Sequence, residues 1–147
     1  MNISIQDAGN YFRGLLLLVR EDGKIAPSEV ELVRRIGRRL DFEKEFCDNA
    51  ISEILANEHI EDAPPEFSSR EIALRFIRDG LTLAFSDGDY DRAEELWLRS
   101  TAGKNGIAPG VFYREQQHVA ARGFPPERLE VDDLTVKVNS KEFWDRQ

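Results

Sequence analysis

The sequence predicts an all-α fold, a helical bundle of two pseudo-repeats of about three helices each, followed by a short C-terminal extension. Apolar residues recur with the 3.6-residue period of a helix in both halves of the chain. An Asp-Gly pair occurs twice, at residues 22–23 and 87–88, and a glutamate, Glu29 or Glu94, begins the next helical stretch each time. Both the pairs and the glutamates lie 65 residues apart. We therefore expect an internal duplication.

The first repeat is predicted over about residues 4–57. Its first helix has apolar residues at helical spacing over 5–19 and further leucines on other faces. A helix that is apolar on most sides is buried, so this one should be central. An amphipathic helix follows the first Asp-Gly pair. A third helix carries Phe46, Ala50 and Ile54.

The second repeat is predicted over about residues 68–123, after a linker that contains Pro64-Pro65. Ser68 or Ser69 should cap its central helix. The following amphipathic helix should bury one face, formed by Ala93, Leu96, Trp97 and Thr101. Three glycines lie inside the helical patterns and are expected to allow close helix packing: Gly14, Gly37 and Gly80.

The first 123 residues are thus predicted to form the helical domain, and residues 124–147 a C-terminal extension that could contain a strand. Leu134, Val136 and Val138 alternate with polar residues, as in a strand. The sequence offers no clear partner strand. The segment could pair near Val131, pair with another chain as a homo-oligomer, or stay unpaired. The aromatic pair at 143–144 should either fold back on the helices or act as a partner-binding arm.

Composition and charge exclude several classes of protein. The net charge is −8, whereas nucleic-acid binders carry basic surfaces. The four arginines at 34–35 and 38–39 suit a helix C-terminus, and Glu31 is expected to pair with the first two. The single cysteine, Cys47, is predicted to be a core residue in a reducing compartment. No basic leader or apolar run of membrane-spanning length is visible, so we expect a cytoplasmic protein without membrane insertion.

The acidic turns are the candidate binding site. An Asp at a helix C-terminus lies at the negative end of the helix dipole, so something must offset it. Either the next helix is capped by these acids, with Ala26 and Asp91 as cap residues, or a divalent cation binds. The second turn has Asp at every other position, as an EF-hand loop begins, but Arg92 and Leu98 break that motif. The candidate metal ligands are Asp22, Glu29, Asp87, Asp89, Asp91 and Glu94.

The pattern Leu-x-x-x-Arg-x-Asp-Gly-Lys-Ile-Ala-Pro-Ser-Glu that leads to Glu29 resembles the TerB-like domain of tellurite-resistance proteins. The second half, from Leu83 through Asp87-Gly88 to Glu94, is similar to the second Asp-Gly element of that family. The resemblance covers about residues 4–123. It implies an all-helical bundle of two pseudo-repeats, a divalent cation held at Asp22, Glu29, Asp87 and Glu94, and a role in stress-response complexes near the membrane. This chain departs from that pattern at two positions: Ala26 stands where a capping Ser is usual, and Lys24 stands where an acidic residue is expected.

No catalytic constellation is visible. His59 and His118 have no partner at zinc-ligand spacing, and phosphate-binding or dinucleotide motifs are absent from the sequence. The sequence therefore predicts a protein that is not an enzyme. Two hypotheses remain: a TerB-like module that binds Ca²⁺ or a similar cation, and a helical scaffold for an unidentified protein partner in which the acids only cap helices.

Overall fold

The all-α prediction is confirmed in a computed structural model, which describes residues 1–21, 23, 25–57, 60–123 and 126–137. The described part contains six α-helices, two short strands and a 3₁₀ helix. In chain order these are β1 (Asn2–Ser4), α1 (Ile5–Arg20), α2 (Pro27–Arg39), α3 (Lys44–Ala56), α4 (Arg70–Phe85), α5 (Arg92–Lys104), α6 (Pro109–Ala121), the 3₁₀ helix (Glu130–Asp133) and β2 (Thr135–Lys137). None of the described helices is long and apolar enough to cross a membrane.

The internal duplication extends to helix lengths and caps. The helices α1, α2 and α3 contain 16, 13 and 13 residues, and so do α4, α5 and α6, each beginning 65 residues later. Ser4 caps α1 by accepting the N–H of Asp7 at 3.0 Å, and Ser69 caps α4 by accepting the N–H of Ile72 at 3.2 Å. The two repeats are therefore built from the same local signals.

The core forms around α1 and α4, as their apolar patterns predict. Glycines let neighbouring groups approach closely: a Cβ atom on Gly14 would lie 2.7 Å from Phe76, and one on Gly80 would lie 2.9 Å from Leu98. Cys47 is fully buried, as expected. The predicted face of α5 is wrong at one position, because Leu96 is 47% exposed and the fully buried leucine is the one at 98.

The C-terminal extension finds a partner that the sequence did not reveal. Its strand β2 pairs in parallel with β1, and Ser4 lies opposite Lys137. This pairing corrects the expectation of a strand without a partner strand in this chain. Leu129, Val131 and Leu134 belong to the buried core. The remaining extension predictions, for Val138 and for residues 139–147, lie outside the described residues.

A buried carboxylate fastens this extension to the bundle. Asp79 on α4 is 1% exposed. It accepts hydrogen bonds from the Tyr11 hydroxyl at 2.6 Å and from the backbone N–H groups of Glu130 and Val131 at 2.8 and 3.1 Å. Burial raises the pKa of Asp79 to about 7, while the three donors oppose the rise. The first repeat has Gly14 at the matching position, so this anchor is specific to the second repeat.

The arginine cluster of α2 also binds this extension rather than Glu31. Arg35 and Arg39 both pair with Asp132, at 3.2 and 2.9 Å. Arg34 pairs instead with Asp48 on α3, at 2.6 Å. The predicted pairing with Glu31 is therefore wrong, because the acidic groups of neighbouring elements lie closer to the arginines.

Candidate functional site

The two acidic turns have matching backbone geometry. The N–H of Gly23 donates to the carbonyl of Arg20 at 2.9 Å, and the N–H of Gly88 donates to the carbonyl of Phe85 at 3.1 Å. Both glycines have a positive φ, of 72° and 78°. This is the left-handed conformation that favours glycine after a helix end. Gly23 and Gly88 therefore terminate the preceding helix in the same way in both repeats.

The two predicted glutamates act as helix starters. Glu29 accepts the N–H of Ala26 at 2.9 Å, and Glu94 accepts the N–H of Asp91 at 3.2 Å. Both side chains are buried, at 0% and 1% exposure. Asp91 returns the bond by accepting the N–H of Glu94 at 2.9 Å, whereas Ala26 has no side-chain oxygen to do so. The capping interpretation of these residues is confirmed.

The other aspartates of the second turn do not gather around one point. Asp87 accepts the N–H of Asp89 at 2.9 Å, which stabilises the turn itself, and both residues are exposed. Among the described residues, no group of three or more Asp, Glu, His or Cys side chains could hold a metal ion. Asp22, the first-turn member of the predicted set, lies outside the described residues, as do Lys24 and His59.

The two repeats nevertheless bring their turns to the same end of the bundle. At the start of α2, the Ser28 hydroxyl donates to the carbonyl of Ser86, just after α4, at 3.5 Å. At the end of α1, the carboxyl of Glu21 lies close enough to Asp91 of the second turn for their charges to interact. The start of α2 and the end of α4 therefore lie close together, although the described carboxyl groups of the two turns do not form a cluster that could hold a metal ion.

Glu21 is a site residue that the predicted set missed. Its carboxyl group shares a hydrogen bond with Asp62, in the middle of the inter-repeat linker. Burial, that hydrogen bond and the negative charge of Asp62 raise the pKa of Glu21 to about 7. The only signal in the sequence was the acidic character of the linker, which gives no indication that it returns to the first turn.

These two carboxyl groups line an open cleft. Its volume is about 620 Å³, and its other walls come from the end of α1, the end of α3 and the linker. Arg20 also lines the cleft and donates to the backbone carbonyl of Asn57 at 3.5 Å. Glu61 lines the cleft as well, so three acidic residues contribute to it, together with Gly23 of the first turn.

Comparison with models of known protein families, with curated proteins and with solved structures finds no match for this chain. The TerB-like resemblance therefore remains a prediction from the sequence pattern.

Proposed function

We propose that this protein is a non-enzymatic TerB-like helical module that binds a hard divalent cation, such as Ca²⁺, where its two acidic turns meet. The observation that supports the proposal is the hydrogen bond between the carboxyl groups of Glu21, beside the first turn, and Asp62, in the linker, with the charge of Asp91 in the second turn also acting on Glu21. Carboxylate oxygens are the ligands that Ca²⁺ takes.

Electrostatics supports the same place. Carboxyl groups that crowd one another raise each other's pKa, and a bound cation reverses that effect by favouring the ionised forms. The pKa of Glu21 is raised first by burial and then by the hydrogen bond and charge of Asp62, in a chain with a net charge of −8. Asp22 follows Glu21 directly and would add a further carboxylate to the set.

Calorimetric titration with Ca²⁺, Mg²⁺ and Mn²⁺ tests the proposal. We expect the affinity for the cation to fall about tenfold or more in Glu21→Gln or Asp62→Asn. Each variant removes one charged ligand, and a tenfold loss corresponds to ~1.4 kcal/mol. The matched control is Glu45→Gln, an exposed carboxylate on α3 outside both turns. Affinity should also fall as the pH drops from 8 to 6, since protons compete for Glu21. Absence of heat and of thermal stabilisation at millimolar metal would contradict the proposal.

The cellular setting is proposed from the TerB-like resemblance alone. On that basis the module would act in cytoplasmic stress-response or tellurite-resistance-type complexes. Comparing the tellurite tolerance of cells with and without the gene tests this part separately from metal binding. Equal tolerance would remove the tellurite link and leave the cation site untouched.

A second function, a metal-free helical scaffold, is favoured by the capping geometry. Glu29, Asp91 and Glu94 already accept hydrogen bonds at helix starts. If they have no other task, Asp91→Asn should retain stability without any dependence on metal, because Asn is also a good cap. A partner protein would then bind elsewhere, and affinity capture with this variant should recover the same partner as the wild type.

A further inference from the structure

An apolar cleft opens between α1 and α3 on the first repeat. Its volume is about 310 Å³. Phe12 and Leu16 line one side, and Phe42 and Phe46 stack on the other with ring centroids 5.1 Å apart. Phe46 is 54% exposed, the largest exposed fraction among the big apolar side chains of the described residues. Exposed aromatic surface of this kind commonly marks a binding groove.

The matching surface of the second repeat is a cleft of similar size, about 320 Å³. One of its sides is polar, because Arg78 on α4 bridges to Glu115 on α6 at 2.9 Å and to Glu130 of the C-terminal extension at 3.2 Å. The residue 65 positions earlier is Arg13, which lines the apolar cleft and makes no ion pair with any described residue. Ala50 stands where the second repeat has Glu115. The C-terminal extension therefore contributes a residue to the second-repeat cleft, whereas none of its described residues lines the apolar cleft of the first repeat.

The chain leaves β2 at the start of α1, the helix that forms one wall of this cleft. Lys137 lies opposite Ser4, and the two strands are parallel. The chain after Lys137 therefore continues in the same direction as the chain that enters α1 after Ser4. Phe12 lies eight helical residues beyond Ser4, or ~12 Å at 1.5 Å per residue. Six extended residues carry the chain from Lys137 to Phe143, a reach of ~20 Å. The aromatic pair at 143–144 can therefore reach the cleft.

The cleft has one basic and one acidic lining residue, Arg13 and Glu53. Residue 145, directly after the aromatic pair, is an aspartate, and Arg13 lies at the cleft without a carboxylate partner among the described residues. An Asp–Arg pair at the edge of an apolar contact fixes its register more than its affinity.

We propose that residues 138–147 fold back into the apolar cleft between α1 and α3, where Phe143 and Trp144 cover Phe42 and Phe46 and Asp145 pairs with Arg13. This inference is independent of the proposed cation site. It assigns the first-repeat cleft a contact with the C-terminal extension, as Glu130 already provides for the second-repeat cleft.

Fluorine NMR of full-length protein labelled with 5-fluorotryptophan tests the proposal. The chain has two tryptophans, and Trp144→Phe identifies the resonance of Trp144. We expect that resonance to be displaced from its position in urea-unfolded protein. Phe46→Ala should abolish most of the displacement. The matched control is Leu96→Ala, which removes an apolar side chain of similar exposure on α5 and should change nothing.

A charge exchange provides a second test that does not alter the apolar cleft. Asp145→Arg should reduce the displacement, and the double variant Arg13→Asp with Asp145→Arg should restore it. Circular dichroism checks that each variant folds. An unfolded-like Trp144 resonance in the wild type, or a displacement that persists in folded Phe46→Ala, would overturn the proposal. A displacement that grows with protein concentration would assign the tail to a second copy and would also overturn it.

Discussion

At the scale of single residues, Glu21 and Asp62 matter because two carboxyl groups share one hydrogen bond. The folded protein holds a proton on Glu21 up to a pKa of about 7, whereas the ordinary value is 4.5. Between these values the folded state binds more protons than the unfolded state, so stability from this group is present at low pH and lost as the pH rises toward 7. A cation bound at the same place would favour the ionised form of Glu21 and lower its pKa.

We therefore predict that the free energy of unfolding falls as the pH rises from about 5 to about 8, and that Glu21→Gln reduces this slope. Part of the slope should remain, because the pKa of buried Asp79 is also raised to about 7. Urea titrations in metal-free buffer at several pH values measure the effect. The control is Glu31→Gln, an exposed carboxylate. An equal slope in wild type and Glu21→Gln would show that the pair does not share a proton.

The two helix starts differ by one residue, which permits a second prediction. Asp91 caps α5 through its side chain, while Ala26 at the equivalent position of α2 cannot. Ala26→Ser should stabilise the protein by about 0.5–1 kcal/mol, and Asp91→Ala should destabilise it by ~1 kcal/mol. Chemical denaturation of both variants measures the differences. Equal effects of the same sign would mean that the first turn is held by other contacts.

At the scale of the elements, close packing of α4 on its neighbours depends on glycine. A Cβ atom on Gly80 would lie 2.9 Å from Leu98, whose side chain is fully buried, and 3.4 Å from Leu18. A methyl group there must displace a packed leucine or separate the helices. Gly103, near the end of α5, has nothing within 4 Å of the same hypothetical atom.

We expect these two glycines to respond to alanine with opposite signs. Gly80→Ala should destabilise the protein by about 1–3 kcal/mol through overpacking. Gly103→Ala should be neutral or stabilise it by up to ~1 kcal/mol, because alanine restricts the unfolded chain and favours the helix. Thermal and urea unfolding compare the two. A neutral effect of Gly80→Ala would contradict this expectation. It would mean that the side chain of Leu98 can move away from the added methyl group at little cost.

At the scale of the whole molecule, the C-terminal extension is part of the core rather than an appendage. Leu129 and Val131 are 4% and 0% exposed, and backbone N–H groups at 130–131 bond to Asp79. Removing each buried side chain costs about 1.5–3 kcal/mol, against a total stability of ~5–15 kcal/mol for a typical domain. Removing the extension would also leave the buried carboxyl group of Asp79 without its two backbone donors, which lowers stability further.

We predict that a chain ending after Gly123 loses cooperative unfolding or becomes insoluble, while a chain ending after Lys137 keeps a sharp thermal transition. Differential scanning calorimetry of the two truncations decides this. A cooperative transition in the shorter chain would show that the helices close over the vacated surface. For the same reason, partner-binding studies of the tail need the cut after residue 137.

The sequence by itself determined the features that depend on neighbours along the chain. Helical period, Asp-Gly terminators and the returning Glu29 and Glu94 side chains act within a few residues, so the six helices and their duplication could be predicted. The contacts between residues that are distant in sequence could not be predicted. Tertiary structure alone brought β2 to β1, directed Arg35 to Asp132 and placed Asp62 against Glu21. These groups meet because burial of the core fixes the chain path, and no local pattern encodes where that path returns.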